Sequence, residues 1–124
     1  MTELTAYAIR ISPRAARDIV AASAGMAALA GPSAAAEWEQ GIFEAIRTLG
    51  TLPRCLPLAP ENDALIPDRD VRQMIYQRRR RGAAYRVLFR AEESSTEGPT
   101  VFILHVRHAG QPAATARELQ NEDA

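Results

Sequence analysis

A chain of 124 residues fits one domain and can bury roughly 65–70% of its unfolded surface without cross-links. Apolar residues make up 47% and charged residues 24%, and 15 basic side chains balance 15 acidic ones, so the composition is that of an ordinary globular protein. The single cysteine, Cys55, excludes an internal disulfide framework, and no apolar run approaches the ~18–20 residues of a membrane span. The first ten residues have no basic segment followed by an apolar run, so a soluble, cytoplasmic protein with no signal peptide and no membrane partner is expected. Every basic residue is arginine, which excludes lysine-based acid–base chemistry and leaves planar forks suited to phosphate or carboxylate.

Tyr7, Ile9 and Ile11 alternate with Ala6, Ala8 and Arg10, the pattern of a half-buried strand. Ser12-Pro13 then supplies an N-cap serine and a proline at the first helical position. The helix predicted from Arg14 to about Leu29 carries Ala15, Ile19, Ala22 and Met26 on one stripe. Gly31-Pro32-Ser33 breaks it and opens a second helix over 34–49, with Trp38, Ile42, Ala45, Ile46 and Leu49 at helical spacing. So short a connection implies an antiparallel helical hairpin.

Prolines at 53, 57, 60 and 67 punctuate a long irregular connection of about twenty residues. Three strands are predicted after it, at 71–78, 84–91 and 101–108. The first two form a hairpin through an arginine-rich turn; the last two are joined by the polar loop 92–99. Residues 113–120 can form a last short helix and 121–124 are expected to fray. The expected fold is α+β in the order β-α-α-β-β-β, one domain over 1–124 with a tail from 112. The helical hairpin should pack on one face of a small antiparallel sheet and leave the other face open.

Charge is distributed unevenly along this frame. Eight of the fifteen arginines fall between Arg69 and Arg90, with Asp70 the only acid among them. A basic strand pair facing outward is a surface for a polyanion or an acidic partner. Tyr85, Val87 and Phe89 share one strand face while Arg86, Leu88 and Arg90 share the other, so the arginines are expected on the uncovered side. The candidate partner- or nucleic-acid-binding residues are Arg78, Arg79, Arg80, Arg81, Arg86, Arg90 and Arg107. Histidine is the side chain best suited to proton transfer, but His105 and His108, three positions apart on a strand, face opposite ways unless a bulge intervenes. Arg86 and His108 are the catalytic candidates only if the chain cleaves RNA. Trp38 reads as core, and Tyr76 and Tyr85 as packing residues. The acids at 61, 63, 68 and 70 lack the converging spacing of a metal site, so neither metal nor cofactor is expected.

Four segments in order resemble the RelE/ParE superfamily of toxins from bacterial type II toxin–antitoxin modules, also called plasmid stabilisation proteins. They are Tyr7-Ala-Ile-Arg-Ile-Ser-Pro-Arg-Ala-Ala-Arg-Asp18, Phe43-Glu-Ala-Ile-Arg-Thr-Leu-Gly-Thr-Leu-Pro53, Tyr85-Arg-Val-Leu-Phe89 and Ile103-Leu-His-Val-Arg-His108. The resemblance implies an antitoxin partner and a target that is either DNA gyrase, as for ParE-like members, or mRNA on the ribosome, as for RelE-like endoribonucleases. Arg86 matches the family's arginine after a mid-strand tyrosine, and Arg78 and Arg79 lie near its basic positions, with Gln77 where a lysine is often found. After the last strand the chain reads His108-Ala-Gly-Gln-Pro112, without the trailing arginine of the ribonucleases, and no tyrosine follows Tyr85. The resemblance therefore favours the gyrase-inhibiting branch over ribosome-dependent cleavage, with a degenerate, non-toxic binding module as a further alternative.

Overall fold

The computed structural model describes residues 6–51, 53–61, 70–78, 82–93, 96, 98–112 and 114–115. Strand β1 (Ala8–Ile11) leads into helices α1 (Pro13–Ala30) and α2 (Pro32–Arg47), and strands β2 (Arg72–Tyr76), β3 (Tyr85–Glu92) and β4 (Thr100–His108) follow. The predicted order and α+β class are those observed.

Local chemistry sets the helix boundaries. The Ser12 hydroxyl accepts the Ala15 N–H at 3.0 Å and donates to the Leu104 carbonyl at 3.0 Å, so one side chain starts α1 and ties it to β4. Gly31, at φ +93°, ends α1 with its N–H on the Ala27 carbonyl, and Pro32 opens α2 at once. Ala15 and Ile19 of α1 and Ala35, Trp38, Ile42 and Ile46 of α2 are buried. All of these but Ala35 pack on Val87 and Phe89 of β3 and Val101, Ile103 and Val106 of β4, with Tyr7, Ile9 and Ile11 against the same core. The apolar stripes of both helices thus cover one sheet face.

Two expectations need correction. The sheet order is β1-β4-β3-β2, and β1 pairs with β4 in parallel, from Ala8 opposite Thr100 to Ile11 opposite Ile103. The sheet is therefore mixed. Short turns dictate antiparallel pairing only for β2, β3 and β4; strands with a helical hairpin and two further strands between them are free of that constraint. The second correction concerns the other face, which is not bare. Residues 57–59 pair with the β2 edge and lead Ala59 and Glu61 over that face as a short strap: Gln73 N–H donates to the Pro57 carbonyl at 3.1 Å and Ala59 N–H to the Val71 carbonyl at 2.8 Å. Ala59, Val71, Leu88, Leu104 and Ala114 form a second small core there, with Phe102 packed against it.

The register also breaks once. Leu88 pairs with His105 but Phe89 with Ile103, which leaves Leu104 as the extra residue of a bulge in β4. Asp18 on α1 meets the disturbed ladder, accepting the Val106 N–H at 3.0 Å while its other oxygen takes Arg14 Nε at 3.1 Å.

Candidate functional site: a closed arginine face and an open groove

Arg86, expected to project into solvent, is only 8% exposed. Its Nε donates to Gln73 Oε1 at 3.0 Å and its Nη2 to Glu61 Oε1, while Glu61 Oε2 accepts the Ala114 N–H at 2.9 Å. Glu61 is itself 1% exposed. Burial alone would push its carboxyl up, but the Arg86 hydrogen bond and the Ala114 N–H outweigh it and hold the group below the usual carboxylate range.

Arg107, opposite Arg86 across β3 and β4, is buried as well, and its Nη2 donates to the Pro112 carbonyl at 3.0 Å. Arg90 pairs with Glu92 and stacks 4.4 Å from the centre of the Phe102 ring. These three arginines do not form the open basic surface that strand alternation implies. Alternation placed them correctly on the face away from the helices, but the strap and Ala114 reach over that face.

Arg78 is exposed and bonds α2 twice, through Nη2 to Glu37 Oε2 at 3.1 Å and Nη1 to the Glu37 carbonyl at 3.3 Å. Arg79, Arg80 and Arg81 lie outside the described residues, as does the expected helix at 113–120 apart from residues 114–115. Each described arginine of the basic stretch has a carboxylate within 4 Å: Arg72 with Asp70, Arg78 with Glu37, Arg86 with Glu61, Arg90 with Glu92. Two of these acids, Glu37 and Glu61, come from other segments, and two, Asp70 and Glu92, from within or beside the basic stretch.

The histidines separate. His105 is fully buried at the bulge, its Nδ1 4.0 Å from Asp18 Oδ2. His108 is exposed, its ring edge-on to Tyr85 at 5.4 Å and its Nδ1 accepting the Gly110 N–H at 3.0 Å. Because Tyr85 faces the helices and Arg86 the strap, His108 and Arg86 stand on opposite faces of the sheet. The two nuclease candidates are therefore not brought to one substrate.

The strap is held at its start by a surface network. Arg54 donates to both oxygens of Glu93, at 2.7 and 2.8 Å, and to the Ala91 carbonyl at 3.0 Å. Tyr7 donates to Glu93 at 2.6 Å, and these contacts, Arg54 first, lower the Glu93 carboxyl to about 2. Arg72 Nη1 donates to the carbonyls of Leu56 at 2.6 Å and Arg54 at 3.1 Å. None of these partners, nor Glu61 and Gln73, is marked by spacing in the sequence.

An open groove of about 600 Å³ lies between the turn of the helical hairpin and the end of the sheet. Met26, Leu29, Trp38 and Tyr85 give it apolar walls, with Arg78 and His108 at its polar edge. Trp38 fixes its floor, edge-on to Tyr85 at 5.0 Å and to Tyr76 at 6.3 Å. Trp38, Tyr76 and Tyr85 are packing residues, as expected. Among the described residues no group of three or more His, Cys, Asp or Glu side chains could hold a metal, and no helix is long and apolar enough to cross a membrane.

A helical hairpin on one side of a four-stranded mixed sheet, with a short strap behind it, is the α+β architecture of the RelE/ParE class of toxins. The chain belongs to the family of ParE toxins of type II toxin–antitoxin systems, parDE, whose model matches residues 9–112. Among solved structures it is similar to a chain of a chromosomal ParDE TA system from P. aeruginosa, with 21% identity and a TM-score of 0.63 over 84% of this chain and 97% of that one. No curated protein matches it. Membership of the family implies an antitoxin as partner.

Proposed function

We infer that this chain inhibits DNA gyrase by protein–protein contact and is neutralised by a cognate antitoxin that seats an amphipathic segment in the groove. The observation that carries the non-catalytic reading is the commitment of Arg86 to Glu61 on a face away from His108. Metal-free RNA cleavage needs a cationic clamp and a proton-transfer group around one phosphate, and the described residues keep these apart. Family membership supports the toxin role, and gyrase is the typical target of that family. For the antitoxin, the groove supplies what a docked amphipathic segment uses. It has an apolar wall of Met26, Leu29, Trp38 and Tyr85, with Leu29 91% exposed, and a polar edge at Arg78 and His108.

The test uses purified toxin freed from its antitoxin. It should block gyrase supercoiling and accumulate cleaved DNA–gyrase complexes while leaving ribosome-bound mRNA intact, and added antitoxin should restore supercoiling. A Leu29→Asp toxin should inhibit as well but be rescued at least tenfold less effectively by antitoxin. Cut mRNA with no effect on gyrase would overturn this reading in favour of the ribonuclease.

A further inference from the structure

The Arg86 cluster has the construction of a receptor for an oxyanion. Its donors come from the sheet and the segment after it: Arg86 Nη2 from β3, and the Ala114 N–H from residues that follow β4. Each donor is fixed by a further contact. Gln73 of β2 holds Arg86 Nε at 3.0 Å, and Arg107 holds the Pro112 carbonyl at 3.0 Å, two residues before Ala114. A guanidinium from β3 and a backbone N–H from the segment after β4 converge on the two oxygens of a carboxylate, and match two oxygens of a phosphate equally. Two arginines directly opposite each other on neighbouring strands repel, and an anion beside them offsets that cost. The anion present, Glu61, belongs to neither strand. It is carried by the strap, which among the described residues meets the sheet nearby through a backbone bridge at Leu58, the flanking hydrogen bonds of Pro57 and Ala59, and the packing of Ala59. Ligand and receptor thus come from separate parts of the chain.

We propose that this cluster is an oxyanion site occupied from within, Glu61 standing where a phosphate-bearing ligand would otherwise sit. The tethered carboxylate closes the sheet face to nucleic acid and other phosphates, which compete with a group held at very high effective concentration. This site is separate from the groove, which lies on the helix side of the sheet.

The experiment removes the internal ligand and supplies an external one. Glu61→Ala toxin is compared with wild type and with the Glu61→Ala/Arg86→Met double variant. Tm is measured while chloride is replaced by inorganic phosphate or by acetate at constant ionic strength. Phosphate stabilises proteins in general by exclusion from their surfaces, so the shift of wild type is the baseline. The expected result is that phosphate raises the Tm of Glu61→Ala by about 5 °C beyond that baseline at roughly ten times its dissociation constant. The double variant should follow the baseline. If Glu61→Ala does not fold in chloride, recovery of its circular dichroism in phosphate supports the site, and failure to recover in phosphate overturns it. A Glu61→Ala shift that tracks wild type, equal rescue of the double variant, or rescue by acetate but not phosphate would each overturn the assignment.

Discussion

Glu61 and Arg86 hold unlike charges where water is excluded, and such a pair is costly to break from one side. An unmatched buried charge loses hydration without the compensating partner, at about 3–5 kcal/mol. Glu61→Gln and Arg86→Ala are each expected to lose about that much stability in urea unfolding at neutral pH, with Glu61→Leu/Arg86→Met losing clearly less than either. The acid limb follows from the same pair. The folded Glu61 carboxyl is depressed relative to an unfolded glutamate near pH ~4.3, so its contribution is complete above that value and disappears as pH falls through the folded pKa. Wild type should therefore lose stability more steeply than Glu61→Gln below about pH 4; parallel acid limbs would refute that role. At this scale the sequence was least legible. The period-2 pattern gave the face of Arg86 correctly, but the carboxylate that meets it sits 25 positions earlier in a stretch without periodicity.

Helix α2 and strand β2 approach closely at Gly41, where a side chain is absent. Gly41 lies mid-helix, where alanine normally gains about 1 kcal/mol. Here a Cβ would fall 2.0 Å from the Tyr76 hydroxyl oxygen. Gly41→Ala is accordingly expected to destabilise by about 1–3 kcal/mol, because Tyr76 is braced against Trp38 and must move. Adding Tyr76→Phe should restore part of the loss; a stabilised Gly41→Ala toxin would show that the contact yields freely. Elements as such were readable. Ser12-Pro13 and Gly31-Pro32 mark helix boundaries through chemistry that acts within a few residues, and alternation marks the strands. The strap was not readable as a cover, since prolines announce an irregular path but not the surface along which it runs. The bulge at Leu104 was equally silent, and the carboxylate that accommodates it, Asp18, comes from α1.

For the whole molecule, the parallel pairing of β1 with β4 was the feature that chain order could not supply, because its partners are 92 positions apart. It joins the first element to the last, and β4 sits in the interior of the sheet with β1 on one side and β3 on the other. A fragment ending before Thr100 should thus retain at most unstable helical structure and show no protected strand amides in hydrogen exchange. Protection in β1 of such a fragment would contradict the argument. Synthesis proceeds from the N-terminus at roughly 5–20 residues per second, and long-range strand pairing is slow because the intervening chain must first be closed into a loop. The groove shares this dependence, for it needs Tyr85 and His108 as well as the helices. A nascent polypeptide of this design consequently has neither a complete sheet nor a finished groove for most of its translation: both wait for the final strand to slide into the middle.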